Sequence, residues 1–156
     1  MFCVATSFNQ PIADWDTSKV TNMFEMFKWA TSFNQPLANW DTSNVINVSN
    51  LFEGAISFNQ PLAGWNTSNV KDMTGMFRGA TIFNQPLSGW DTSNVESMEC
   101  MFQGALSINQ SLVDWDISSV RNFDDMLYNA TSLDPAHAMS FRQKMDDQQL
   151  TDFHRR

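Results

Sequence analysis

Apolar positions along this chain return on a fixed step of 25 residues. Trp15, Trp40, Trp65, Trp90 and Trp115 keep that step, as do Val20, Val45, Val70, Val95 and Val120 and the alanines Ala5, Ala30, Ala55, Ala80, Ala105 and Ala130. Phe8, Phe33, Phe58 and Phe83 continue as Ile108 and Leu133. A step held without one insertion makes each unit one coil of a stack. Two spacings alternate inside a unit. From Val20, the residues Met23, Met26, Phe27 and Ala30 fall on one helical face, with Thr21 or Asn22 as its N-cap. Gly54, Gly79 and Gly104 stand at the end of that segment, where a left-handed residue belongs, although Trp29 and Asn129 hold the place in two units. Pro11, Pro36, Pro61 and Pro86 then stop any helix. The stretch around Leu37, Trp40 and Thr42 reads as a strand of about three residues, pairing in parallel with its equivalents. Parallel strands stack about 4.8 Å apart, whereas packed helices need about 8–10 Å. The pattern therefore predicts an α/β repeat solenoid, a right-handed horseshoe with short parallel strands inside and short helices outside.

Residues 1–133 form five to six such repeats, the first incomplete. Aligned by 25, Met1–Phe2–Cys3–Val4–Ala5 falls on Met26–Phe27–Lys28–Trp29–Ala30, so the chain opens inside a predicted helix and upstream repeats are expected to precede it. The first coil is then expected to expose Phe8, Ile12, Trp15 and Val20, because a coil cannot bury its apolar face alone. Residues 134–156 leave the pattern. Asp134–Pro135 suits an N-cap followed by a first helical residue, and Met139, Lys144, Asp146 and Asp147 suit an amphipathic helix capping the last coil.

The string FNQPLxxWDTSNVxxMxxMFxGA, nearly whole at 58–80 and 83–105, resembles the BspA-like leucine-rich-repeat family, in particular its mycoplasma-type surface-protein repeat of about 25 residues. The resemblance covers residues 1–133. It implies a leucine-rich-repeat-like solenoid, a cell-surface or extracellular setting, and no catalytic residues.

Composition narrows the function classes. The formal charge is −8, from 17 acids against 9 bases, and such a surface repels nucleic acid and anionic lipid. No run of about 18 apolar residues is present to span a membrane, and no basic start leads into an apolar signal segment. Cys3 and Cys100 are too few for a disulfide framework or a zinc site, and four coils of separation keep them from pairing. Only His137 and His154 exist, with no partner at nucleophile or metal spacing. The chain is therefore read as no enzyme, with no catalytic residue, no metal and no cofactor.

Each ladder of identical residues has a structural and a functional reading. Asn9, Asn34, Asn59, Asn84 and Asn109 read as side chains that satisfy turn backbone, against a polar recognition strip. Asp16, Asp41, Asn66, Asp91 and Asp116 follow the tryptophans and are expected on a concave face. They form Asx-turns with the serines two residues on, or a stacked carboxylate site for calcium. The Thr–Ser pairs, from Thr17–Ser18 to Thr92–Ser93, would offer hydroxyls to a glycan, but Ile117 in the fifth unit points that position into the core. Met76–Phe77 and Met101–Phe102 read as core rather than as a Met-rich groove.

The repeat breaks its own rule in one unit. Phe24 and Trp29 stand where sister units carry Ser49, Thr74, Glu99 and Asp124, and Gly54, Gly79, Gly104 and Asn129. With Lys28 between them they form a candidate partner-binding patch, or else a seal over the open end. The sequence thus points to a non-catalytic protein-binding scaffold, as a cell-surface adhesive module. The alternatives are a structural subunit of a large intracellular or organellar assembly, and a calcium- or glycan-binding repeat. The expected partners are other proteins, upstream repeats of the same chain among them.

Overall fold

A computed structural model describes the backbone of residues 1–154 and the side chains of residues 1–148. The side chain of His154 and the end of the tail, Arg155 and Arg156, lie outside the described residues. The chain winds as a partial turn, 1–4, followed by coils 5–29, 30–54, 55–79, 80–104 and 105–129. These coils are built almost wholly from β-turns. The α/β leucine-rich-repeat solenoid is not what forms: among the described residues there is one helix, in the tail, and parallel pairing shrinks to isolated bridges.

The reason lies in the segment 21–30, whose spacing predicts a helix. A helix needs every residue right-handed and every N–H bonded four residues back. Here Glu25 has φ 53° and Trp29 φ 59°, and the sister positions repeat this through Asn50, Gly54, Gly75, Gly79, Cys100, Gly104, Asp125 and Asn129. Met26 N–H donates to Met23 O at 3.1 Å and Ala30 N–H to Phe27 O at 3.0 Å, closing two successive β-turns of type II character, each with its left-handed residue third. The alternate amides are left for the next coil. Met23, Glu25, Phe27 and Trp29 donate to Asn47, Ser49, Leu51 and Glu53 carbonyls at 2.7–3.1 Å. The segment is therefore a strip that bonds inward by turns and upward by its other amides. Its corners fall at the same spacing as a helical face. The glycines of the pattern do adopt the left-handed conformation, in turns and not at helix ends.

The predicted strand is absent too. Trp40 N–H returns to Leu37 O and Val45 N–H to Thr42 O, so this stretch is two more turns. Parallel bridges occur elsewhere, at Asn22, Asn47, Asp72, Ser97 and Asn122, one per junction. With neither the inner strands nor the outer helices present, the geometric argument for a horseshoe and its concave face falls away. Asn22, expected as an N-cap, instead accepts from Phe24 N–H at 2.8 Å in an Asx-turn.

Three columns of rings form the core. Phe2, Phe27, Phe52, Phe77 and Phe102 stack at 5.6–5.7 Å between centroids. Phe8, Phe33, Phe58 and Phe83 run beside them, each about 4 Å from its neighbour in the first column, as in the 4.1 Å Phe27–Phe33 pair. The tryptophans make the third column, with Trp90 and Trp115 stacked at 6.3 Å. Met76, Phe77, Met101 and Phe102 are fully buried between coils.

The tail forms α1, Pro135–His154. Asp134 Oδ1 accepts from Ala136 N–H at 2.8 Å, and the Asp134 N–H itself takes Asn109 Oδ1 at 2.8 Å. Phe141, fully buried, meets Trp115 edge-on at 6.4 Å. Lys144 Nζ donates to the carbonyls of Val113 and Trp115, and Gln148 Nε2 to Ser118 O at 3.2 Å. Met139, expected on the packed face, is exposed. Among the described residues no helix is long and apolar enough to cross a membrane.

Candidate functional site

The side-chain ladders tie coil to coil. Asn34 N–H donates to Asn9 Oδ1 at 2.9 Å, and Asn59, Asn84 and Asn109 repeat the bond to the asparagine below at 2.8–3.0 Å. The following glutamine, Gln35, Gln60, Gln85 or Gln110, donates to the same oxygen. Each asparagine thus satisfies backbone of the next coil, not of its own turn. Asn44, Asn69 and Asn94 add bonds from Nδ2 to Ser18, Ser43 and Ser68 carbonyls at 2.7–2.8 Å.

The acidic ladder is a row of Asx-turns on exposed backbone. Asp41 Oδ1 accepts from Ser43 N–H at 3.0 Å and from its hydroxyl at 2.6 Å, and Asp16, Asn66 and Asp91 repeat both bonds. Asp116 takes Ser118 N–H at 2.9 Å. The serine hydroxyl first, and its amide second, hold Asp16, Asp41 and Asp91 below the usual aspartate range; for Asp116 the amide leads. Among the described residues no group of three or more His, Cys, Asp or Glu is placed to hold a metal ion. Thr17, Thr42, Thr67 and Thr92 are buried and donate to a carbonyl of the next coil, and Ile117 is buried with them. The threonines therefore present no hydroxyl array.

The N-terminal end has the unfinished chemistry. Trp40, Trp65, Trp90 and Trp115 are 1–4% exposed, and each donates its indole N–H to a carbonyl 28 residues earlier, as Trp40 does to Ile12 O at 3.0 Å. Trp15 is 43% exposed and has no such acceptor among the described residues. Phe2 covers part of it, at 5.8 Å, and stacks on Phe8 at 3.9 Å. Phe8 and Val20 are half-buried, while Ile12, expected to be open, is buried. The carbonyls of Asn22 and Phe24, whose sisters Asn47 and Ser49 accept from the coil below, have no donor among the described residues. Phe24 is half-exposed beside them.

The patch at 24–29 is arranged differently from a seal over this end. The Trp29 ring leans forward onto the next coil and lies against Gly54, where any side chain would collide with it. Lys28 Nζ bridges Glu25 Oε1 at 2.7 Å and Glu53 Oε2 at 3.1 Å, and the Glu25 hydrogen bond leads in raising its pKa. Lys28 thereby joins two coils. Two features of the ends escape the sequence pattern: Phe141, whose phase in the repeat is lost once the helix starts, and the indole nitrogen of Trp15, whose missing partner shows only against its four sisters. Cys3 is exposed and Cys100 partly covered, both as free thiols.

A model of the family described as "Mycoplasma protein of unknown function, DUF285" matches residues 1–72 and 57–152. The chain belongs to this family. No curated protein and no solved structure matches this DUF285 chain.

Proposed function

We propose that this DUF285 chain is a non-catalytic protein-binding unit whose contact face is its N-terminal end. The observation that carries the reading is Trp15, half-exposed and with no indole acceptor among the described residues, where its four sister tryptophans are covered and bonded. The carbonyls of Asn22 and Phe24, without a donor among the described residues, and the half-exposed Phe24 ring belong to the same unit. A large exposed aromatic with a polar tip is the composition of a binding hot spot. Lys28 and Trp29 border the patch, with Lys28 already engaged by two glutamates.

Two of the three substitutions in the test copy sister residues, and the third removes a half-exposed side chain. Phe24→Ser and Trp29→Gly install the residues found at 49 and 54, and Trp15→Ser removes the indole. Retention of proteins from native extract, identified by mass spectrometry, is expected to fall at least tenfold in the triple variant while its thermal transition survives. Binding that persists there, yet disappears when Asp16, Asp41, Asp91 and Asp116 are replaced by lysine, would assign the contact to the acidic ladder.

A further inference from the structure

The opposite end carries a second, independent feature. At each of the four junctions between complete strips, four alternate amides of one strip donate to four carbonyls of the next: residues 23, 25, 27 and 29 to 47, 49, 51 and 53, and so on up to Met98, Cys100, Phe102 and Gly104 to Asn122, Asp124, Met126 and Tyr128. The last strip repeats the geometry. Met126, Tyr128 and Ala130 N–H close its turns onto Phe123, Asp125 and Leu127 carbonyls, and Asp125 and Asn129 hold the left-handed positions at φ 54° and 58°. Its remaining amides, Phe123, Asp125, Leu127 and Asn129, have no acceptor among the described residues. Helix α1 hydrogen-bonds instead to the carbonyls of Val113, Trp115 and Ser118, and the side chains of Phe123 and Leu127 are buried.

This edge differs from that of a β-sheet. An ordinary edge strand offers N–H and C=O groups together. Here the carbonyls of Phe123, Asp125 and Leu127 are spent on turns, so the row is donors alone. Two such edges therefore cannot pair with each other, and a normal β-strand, though its alternate carbonyls reach the four amides, would leave its own intervening N–H groups facing an edge without acceptors. A ligand that fits the row presents carbonyls on that side at every second residue and no N–H between them. The strips of this repeat do so, because their left-handed residues turn alternate peptides the same way. Free carboxylates are disfavoured by the exposed Asp124 and Asp125 beside the row.

We propose that the edge formed by Phe123, Asp125, Leu127 and Asn129 is a docking site for a repeat strip of a separate polypeptide, neutral in its carbonyls and basic in its side chains. It would extend the stack by the junction already made four times within the chain. The strip 71–80, KDMTGMFRGA, shows the chemistry: Gly75 and Gly79 take the left-handed positions without a Cβ, and Arg78, which lies beside the phase of Asp125, brings positive charge toward that aspartate.

The probe is that ten-residue peptide, added at millimolar concentration to the full chain, with amide hydrogen exchange followed by NMR. Exchange at Phe123, Asp125, Leu127 and Asn129 is expected to slow at least fivefold, with amides of the N-terminal end unchanged. A peptide with Arg78 replaced by glutamate is expected to protect them less, and so is an alternating Thr–Val β-strand peptide, whose own N–H groups would face the row without acceptors. Unchanged exchange at the four amides, or equal protection by the Thr–Val peptide, would overturn the proposal. Either result leaves the N-terminal contact untouched, since that face is read out by the Trp15 variants.

Discussion

Cys100 occupies a left-handed backbone position, φ 53°, where the preceding coil has Gly75. An L-residue there carries about 1–2 kcal/mol of local strain, partly offset by the greater chain entropy of glycine. Cys100→Gly is therefore expected to raise stability by roughly 0.5 kcal/mol, read as a higher denaturant midpoint at unchanged slope. The buried tryptophans respond in the other direction. Trp65→Phe removes one of the two donors on Leu37 O, the Trp40 N–H remaining, and leaves a void in the core. The expected loss is about 2–4 kcal/mol, whereas the same change at the exposed Trp15 is expected to cost under about 1 kcal/mol. At this scale the sequence was partly legible. Gly54, Gly79 and Gly104 announced their conformation, but the companion position is held by Glu25, Asn50, Gly75, Cys100 and Asp125, and no shared residue type marks it.

The turn strip and the Asx-turn are the elements on which the sequence reading divided. Apolar residues at 23, 26, 27 and 30 fit one helical face, yet they also fit the inward corners of two consecutive turns, and hydrophobic spacing alone does not separate them. The glycine pair Gly75 and Gly79, four residues apart, is the one local sign against a helix, since both left-handed positions become glycine only in that unit. The Asx-turns, by contrast, followed directly from Asp and Ser two residues apart. They also set a pH dependence. Because the folded pKa values of Asp16, Asp41, Asp91 and Asp116 lie below those of the unfolded chain, their contribution is present above the ordinary aspartate range. It is lost as pH falls through the lowered folded values. Asp41→Asn, which copies the residue at Asn66, keeps an acceptor without the charge. It is expected to melt like the parent at pH 7 and to lose less stability as the pH is lowered through the aspartate range, from about 5 to about 3. In the asparagine ladder, Asn59→Asp retains the oxygen that serves Asn84 and Gln85, while Asn59→Ala strands both. Only the alanine variant is expected to lose about 1–2 kcal/mol in a melting comparison.

On the scale of the whole molecule, the tail finishes the stack by imitation. Gln148 takes Ser118 O as Asn44, Asn69 and Asn94 take the serine carbonyls below, and Phe141 stands on Trp115 where another tryptophan would otherwise lie. Phe141→Ala is expected to free α1 and cost about 3 kcal/mol, seen as protease cleavage within 135–148 before the coils are cut. Repeat, register and terminal helix were legible because they rest on recurrence and capping chemistry. The secondary structure of the coil was not, because it depends on which neighbour each amide chooses. That choice has a consequence for how such a chain can change its length. The three ring columns, the asparagine ladder and the four-amide junction all count in the same 25 residues, so a gain or loss of one residue disturbs every one of them at once. Removal of residues 58–82 rejoins matching phases and should leave a shorter protein with one sharp transition, whereas deletion of Ala63 alone should not. Growth and shrinkage by whole units is the path the architecture leaves open, and lineages carrying it are expected to differ in the number of coils far more than in the size of any one.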